Sequence, residues 1–262
     1  MEMKFEHNSF NKRLNSMLKV DFRRMFTMRF FYIMAGICFI MPILILVMTT
    51  MFSGEPAEAG AETMGMFTNT WQAIGSFSGG DMMSMDLTTM CNINMLYFFV
   101  AVLVGLFVAD DFRSGYAKNL FTVRAKKGDY VISKTLVCFV GSTFMLIAYF
   151  IGTMIGGAIA GLPFDVGTAG ADGIFMCMLA KIFITAVFVG IDLAVSTAAK
   201  QKAWLSIIGS MMASMLLYTM VPMITPLDSG IMNVILCLAG GVIFSAGIGA
   251  ISKTILSKTS LV

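Results

Sequence analysis

Two ionisable residues, Lys181 and Asp192, lie within one apolar stretch, Gly173 to Thr197. Charged groups at membrane depth are costly and mark functional positions. At ~1.5 Å and ~100° per residue along a helix, the two share a face and stand about 16 Å apart. That is too far for a direct pair. The Lys181 stem is long enough to snorkel toward the headgroups or to meet a polar partner on another helix. Both residues are also candidates for a polar point on a substrate path or at a dimer interface. A proton relay would need further acids at mid-depth, and the sequence places none there convincingly, which argues against proton-coupled transport.

Other reactive residue types carry less. Cys38, Cys91, Cys138, Cys177 and Cys237 are scattered with no C-x-x-C spacing, so packing is the reading. Met64, Met66, Met82, Met83 and Met85 bring soft thioethers together, but with 26 Met in the chain they read as flexible apolar contacts, and no metal site is expected. The lone histidine, His7, is in the N-terminal tail. A phosphate-binding loop needs G-x-x-x-x-G-K-[ST] between a strand and a helix. The nearest string, Gly247 to Thr254, has Ser252 in place of the second Gly and ends an apolar span. No nucleotide site, cofactor or catalytic residue is expected in this chain.

The elements that position these residues follow from composition. Hydrophobic residues make up 58% of the 262 positions and charged residues 13%, about half the charge of a soluble domain. So few charges cannot cover a soluble surface, and the chain reads as an integral membrane protein. Apolar stretches of spanning length run from about Phe30 to Phe52, Cys91 to Ala109, Leu136 to Ala160, Gly173 to Thr197, Ala203 to Val221 and Ile231 to Ile251.

The net charge of +3 hides a sorted pattern. Lys4, Lys12, Arg13, Lys19, Arg23, Arg24 and Arg29 precede the first span. Arg113, Lys118, Arg124, Lys126, Lys127 and Lys134 fill the connection between spans two and three. Lys200, Lys202, Lys253 and Lys258 lie in the fourth-to-fifth connection and the tail. The remaining loops carry acids alone, among them Glu55, Glu58, Glu62, Asp81, Asp86, Asp165, Asp172 and Asp228. Because Lys and Arg stay on the cytoplasmic side, the expectation is an all-α membrane protein with six transmembrane helices and both termini cytoplasmic. The first apolar run is too long for a cleaved signal peptide and reads as a signal-anchor. Nothing points to nucleic acid.

Residues 1–29 form an amphipathic segment, with Phe10, Leu14, Met17, Leu18, Phe22 and Met25 at helical spacing and bases on the other faces. It suits the membrane interface. Residues 30–251 form a single six-helix domain, and 252–262 a cytosolic tail. Pro42 is expected to kink the first span. The outer loop, 53–90, is expected to hold a short amphipathic helix from Glu62 to Phe77 resting on the outer surface. Gly152, Gly156, Gly157 and Gly161, then Gly209, Ser210, Ala213 and Ser214, then Gly241, Ser245 and Gly249 give small-residue registers that let helices approach closely.

The most informative stretch is the cytosolic segment 110–135. It is too polar to span and far longer than the ~2–8 residues a plain connection needs. Phe112, Tyr116, Leu120 and Phe121 share one side of a short helix expected over Phe112 to Phe121. Gly128 and Asp129 are expected to turn the chain, with Asp129 capping the third span. Such a piece, offering aromatics and charge in the cytosol, suits a docking role.

Asp111, Gly115, Arg124 and then Tyr130, Val131 and Lys134 follow one another in an order that resembles the ABC-2 class of ATP-binding-cassette transporter permeases, closest in style to small bacterial permeases of lantibiotic immunity and peptide export. That family often has Glu at the position of Asp111 and a Pro near Thr122 and Val123. The resemblance implies that the segment is a coupling helix docking on a cytosolic ATPase, with Asp111, Phe112, Arg113, Gly115, Tyr116, Lys118, Asn119, Phe121, Arg124, Tyr130 and Lys134 as coupling residues. It also implies that the N-terminal helix is the connecting helix, and that ATP and magnesium are held by a partner chain. A second permease copy or a paralogue would complete the unit, in a bacterial plasma membrane, exporting an amphipathic or hydrophobic molecule such as an antimicrobial peptide, drug or lipid. Two other readings remain at this point. One is an ATPase-independent membrane sensor or assembly protein; the other is a secondary transporter, which tends to show inverted repeats and broken helices.

Overall fold

A computed structural model describes residues 10–52, 67–76, 91–122, 126–167, 169–200 and 202–258. Among them the structure is helical, with α1 (Phe10–Thr27) and α2 (Arg29–Phe52) followed by α3 (Leu96–Arg113), α4 (Tyr116–Thr122) and α5 (Lys127–Ala160). The chain continues through α6 (Gly170–Ala199), α7 (Ala203–Tyr218), α8 (Val221–Ile224) and α9 (Ile231–Lys258). Among the described residues five helical stretches are long and apolar enough to cross a membrane: 29–51, 93–113, 127–160, 170–199 and 231–258. The remaining apolar stretch is shorter. There α7 has 16 residues and is followed by the separate turn α8, with Pro222 at its start.

Length says which parts leave the apolar layer. At ~1.5 Å per residue the 34 residues of α5 span about 50 Å against a hydrocarbon core of ~30 Å. Its first turns therefore project, and α1 and α4 gather around that projection. Outward-facing Ile231, Ile235, Leu236, Val242, Ile243 and Phe244 on α9 are exposed apolar side chains, as a lipid-facing wall requires.

The small-residue registers mark where backbones meet. At Gly152 an added Cβ would overlap the Phe39 carbonyl oxygen and come 2.9 Å from Pro42 Cγ; at Gly156 it would lie 2.8 Å from Ile43 Cα. The α5 glycines thus seat α2 along its Pro42 turn, through which α2 continues unbroken. Gly241 brings α9 onto α6, where a Cβ would stand 2.7 Å from the Phe183 carbonyl. Ser206, Ser210 and Ser214, four residues apart, line the α7 face toward α6, and Ser206 Oγ bonds Ser196 Oγ at 2.6 Å.

The described part of the 53–90 loop, residues 67–76, is not an amphipathic helix resting on the surface. It makes a short 3-10 turn at Thr70–Ala73, capped by Asn69 and Gln72. Ile74 is fully buried, Trp71 stacks on Phe150, and the Leu227 N–H donates to the Ser76 carbonyl at 2.8 Å. The segment is tucked into the bundle end opposite α1 and α4. The remainder of the loop lies outside the described residues.

Candidate functional site

The end of α3 carries Asp110, Asp111, Phe112 and Arg113. Gly115, at φ +73°, takes the left-handed conformation that stops the helix, and the Asn119 N–H donates to the Gly115 carbonyl at 3.0 Å as α4 begins. The short helix of this segment therefore starts at Tyr116, not at Phe112, which belongs to α3. On α4, Ala117 is buried and Tyr116, Leu120 and Phe121 are half-buried, while Lys118, Asn119 and Thr122 are exposed, as is Arg113 before it.

Beneath α4 lies a buried ionic network. Lys134 Nζ is 2.7 Å from Asp111 Oδ2 and 2.9 Å from Asp21 Oδ1. Tyr130 donates its hydroxyl to Asp111 Oδ2 at 2.8 Å, and Ser133 Oγ donates to Asp21 Oδ2 at 2.6 Å. Arg24 closes the set, pairing with Asp111 and reaching Asp110 Oδ2 at 3.2 Å. The Arg24 guanidinium lies 4.1 Å from the Tyr116 ring centroid and Lys134 Nζ 3.9 Å from that of Phe107. Asp21, Asp111 and Lys134 are fully buried.

Two carboxylates and two cations balance in this enclosed space, with Asp110 at its exposed margin. Buried charges persist only when paired and hydrogen-bonded; here Asp111 accepts from Tyr130 and Arg24 and pairs with Lys134, and Asp21 accepts from Ser133 and pairs with Lys134. Burial opposes the Arg24 charge, but the adjacent Asp111 carboxylate outweighs it and raises the Arg24 pKa. Burial, with Asp21 and Asp111 nearby, pushes the Tyr116 phenol up to about 12. Tyr116 is therefore neutral under the guanidinium.

The network joins α1, α3 and α5, with α4 laid over it by the Arg24–Tyr116 stack and the edge-on Phe121–Tyr130 contact. Asp129 does not cap α5, whose N-cap is Lys126. It sits in the first turn and accepts from Arg13 Nε at 3.1 Å, a second tie between α1 and α5. Of the residues read as coupling residues, the fold brings Asp111, Tyr116, Tyr130 and Lys134 together. Phe112 and Phe121 pack beside them, Gly115 forms the break, and Arg113, Lys118 and Asn119 face outward. Arg124 lies outside the described residues. Asp21, Arg24 and Ser133 belong to the network too. Asp21 carried a readable signal: it is the one acid in α1 and falls four residues from both Met17 and Met25 on the buried stripe.

Lys181 and Asp192 are held separately. Lys181 Nζ donates to Asn94 Oδ1 at 2.8 Å and Thr225 Oγ1 at 3.0 Å. It does not snorkel: it is fully buried and ties α6 to the turn before α3 and the residue after α8. Asp192 Oδ1 accepts from Ser214 Oγ at 3.4 Å and its backbone carbonyl from Ser210 Oγ at 3.5 Å.

A family model described as ABC-2 family transporter protein matches residues 17–221. The chain belongs to the ABC-2 transporter family. Its matched stretch begins inside α1 and ends at the first residue of α8, so it contains the whole ionic network and both intramembrane charges, and stops before α9. ABC-2 family proteins are membrane components without a nucleotide-binding domain of their own, partnered with an ABC ATPase. No curated protein and no solved structure matches the chain.

Proposed function

We propose that the chain is the permease subunit of an ABC exporter, with α4 as the helix that docks on the cytosolic ATPase. The observation that carries this reading is the two-sided character of α4. Its apolar side is fixed to α1, α3 and α5 over a buried, charge-balanced network, while Arg113, Lys118, Asn119 and Thr122 are exposed on its outer side. A force applied to that outer side would pass into three helices at once.

In this reading six spans cross the membrane, α7 with α8 forming the fifth, and both termini face the cytosol because the bases collect at the α1 and α4 end. ATP and magnesium bind the partner, and two permease chains, identical or paralogous, form the translocation unit in a bacterial plasma membrane. The cargo is an amphipathic or hydrophobic molecule moved outward. The acids of the 53–90 loop suit a cationic amphipathic peptide.

The test is to purify the full chain from its native membrane in mild detergent and identify what accompanies it. Recovery of a chain with a G-x-x-x-x-G-K-[ST] loop, lost in Lys118→Glu/Asn119→Arg without a change in thermal unfolding, is the expected result. Equal recovery with the variant would overturn α4 as the docking helix.

A further inference from the structure

On the side of the bundle where α9 crosses α5, the two helices diverge and leave a groove floored by α6. Its volume is about 670 Å³, within the ~300–1,000 Å³ of small-molecule sites. Val131 and Phe139 form one wall, Leu238 and Val242 the other, and Phe183 lies in the floor. Ala246 and Gly249 set its width, since a Cβ at Gly249 would come 3.5 Å from Val131 Cγ1.

Among the described residues, the hydroxyl groups of the lining are engaged with the helices that carry or face them. Thr135 Oγ1 donates to the Val131 carbonyl at 2.9 Å, and Ser245 Oγ to the Ala186 carbonyl at 2.8 Å. Among the described residues Lys253 is the one ionisable side chain lining the groove, at the end nearest α1 and α4. It is exposed, with its stem along Gly128, where a Cβ would stand 3.8 Å from Lys253 Cδ. Two neighbouring charges are already engaged. Lys127 Nζ donates to the Leu256 carbonyl at 2.6 Å, and Asp129 is held by Arg13.

We infer that this groove binds an acyl chain of an anionic glycerophospholipid, with the lipid phosphate at the Lys253 ammonium. A slot that is dry along its length and cationic at the mouth matches a ligand that is apolar along its length and anionic at its head; basic pockets between membrane helices bind such headgroups. The site includes α9, which lies outside the stretch matched to the family. It needs no nucleotide and no partner, so it stands or fails separately from the transport reading.

The test is native mass spectrometry of the purified full chain with phosphatidylglycerol or phosphatidylcholine of identical acyl chains. The expected result is about fivefold stronger retention of phosphatidylglycerol, the preference one lysine supplies near a headgroup. Lys253→Gln removes the preference, Ala246→Leu weakens retention of both lipids by filling the groove, and Lys202→Gln, an exposed base elsewhere, changes neither. Equal retention of the two lipids overturns the proposal, as does a preference that survives Lys253→Gln or retention that survives Ala246→Leu. Loss of a dimer in Ala246→Leu with no lipid bound to the native chain would also overturn it and assign the groove to self-association.

Discussion

Lys134 and Asp111 are joined at 2.7 Å with both side chains closed off from solvent. Lys134 also serves Asp21, so its loss leaves two buried carboxylates short of a cation. Lys134→Met is expected to destabilise the protein by ~3–5 kcal/mol. Adding Asp21→Leu should restore part of that loss, because Asp111 keeps Arg24 and Tyr130. Thermal unfolding of both variants in one detergent checks this, and the combined effect should be well below the sum of the single ones.

Arg24 combines a fork on the acids with a stack on Tyr116. Lys supplies the charge but neither the planar stack nor the fork. Arg24→Lys should therefore loosen α4 more than it lowers overall stability. Amide hydrogen exchange over 116–122 is expected to rise about fivefold, matching a loss of ~1 kcal/mol, while the unfolding midpoint moves little.

The glycines of α5 and α2 should respond in opposite ways. Gly152→Ala places a methyl against the Phe39 carbonyl, where backbone must move, and should cost ~1–3 kcal/mol. Gly36 has nothing within 4 Å of an added Cβ. Gly36→Ala should be neutral or stabilising by up to ~1 kcal/mol, from helix propensity alone. Paired unfolding curves decide it.

Lys181 holds Asn94 and Thr225, and the Thr225 carbonyl accepts from Cys177 Sγ at 3.5 Å. Lys181→Ala removes a donor from both and leaves a void, at ~2–4 kcal/mol. The buried Cys177 thiol should then react faster with a water-soluble maleimide, whereas Lys181→Gln, which keeps a donor, should protect it better.

Much of this was legible from the chain. Apolar length and the distribution of Lys and Arg marked the long helices, and the small-residue registers anticipated the α2–α5 and α6–α9 seams. Asp111, Tyr130 and Lys134 stood out through their order along the sequence. Arg24 did not, because one base among several on an amphipathic helix carries no sign of which carboxylate it will meet. Asp129 misled for a related reason. An acid beside a helix start suits capping, but Arg13, distant in sequence, offered a stronger partner. The end of α3 also ran past its apolar stretch: the charges of Asp110 and Asp111 are met from α1 and α5, and the left-handed Gly115 ends the run. The inward tuck of residues 67–76 depends on Phe150, Phe164 and Leu227, and no local pattern reports such distant contacts.

The placement of Asp21 bears on the order of assembly. Its direct partners are made long after it: Ser133, a hydrogen-bond donor, follows by 112 positions, and Lys134, its ion-pair partner, comes next. Until α5 leaves the ribosome, burying the Asp21 carboxylate would leave it without Ser133 and Lys134, with Arg24 of its own helix as the counter-charge at hand, so burial of α1 before α5 is disfavoured. Docking of α1 is then a late event that requires α3 and α5 to be side by side. The same ions that unite the finished bundle act during synthesis as a check that the earlier spans have met.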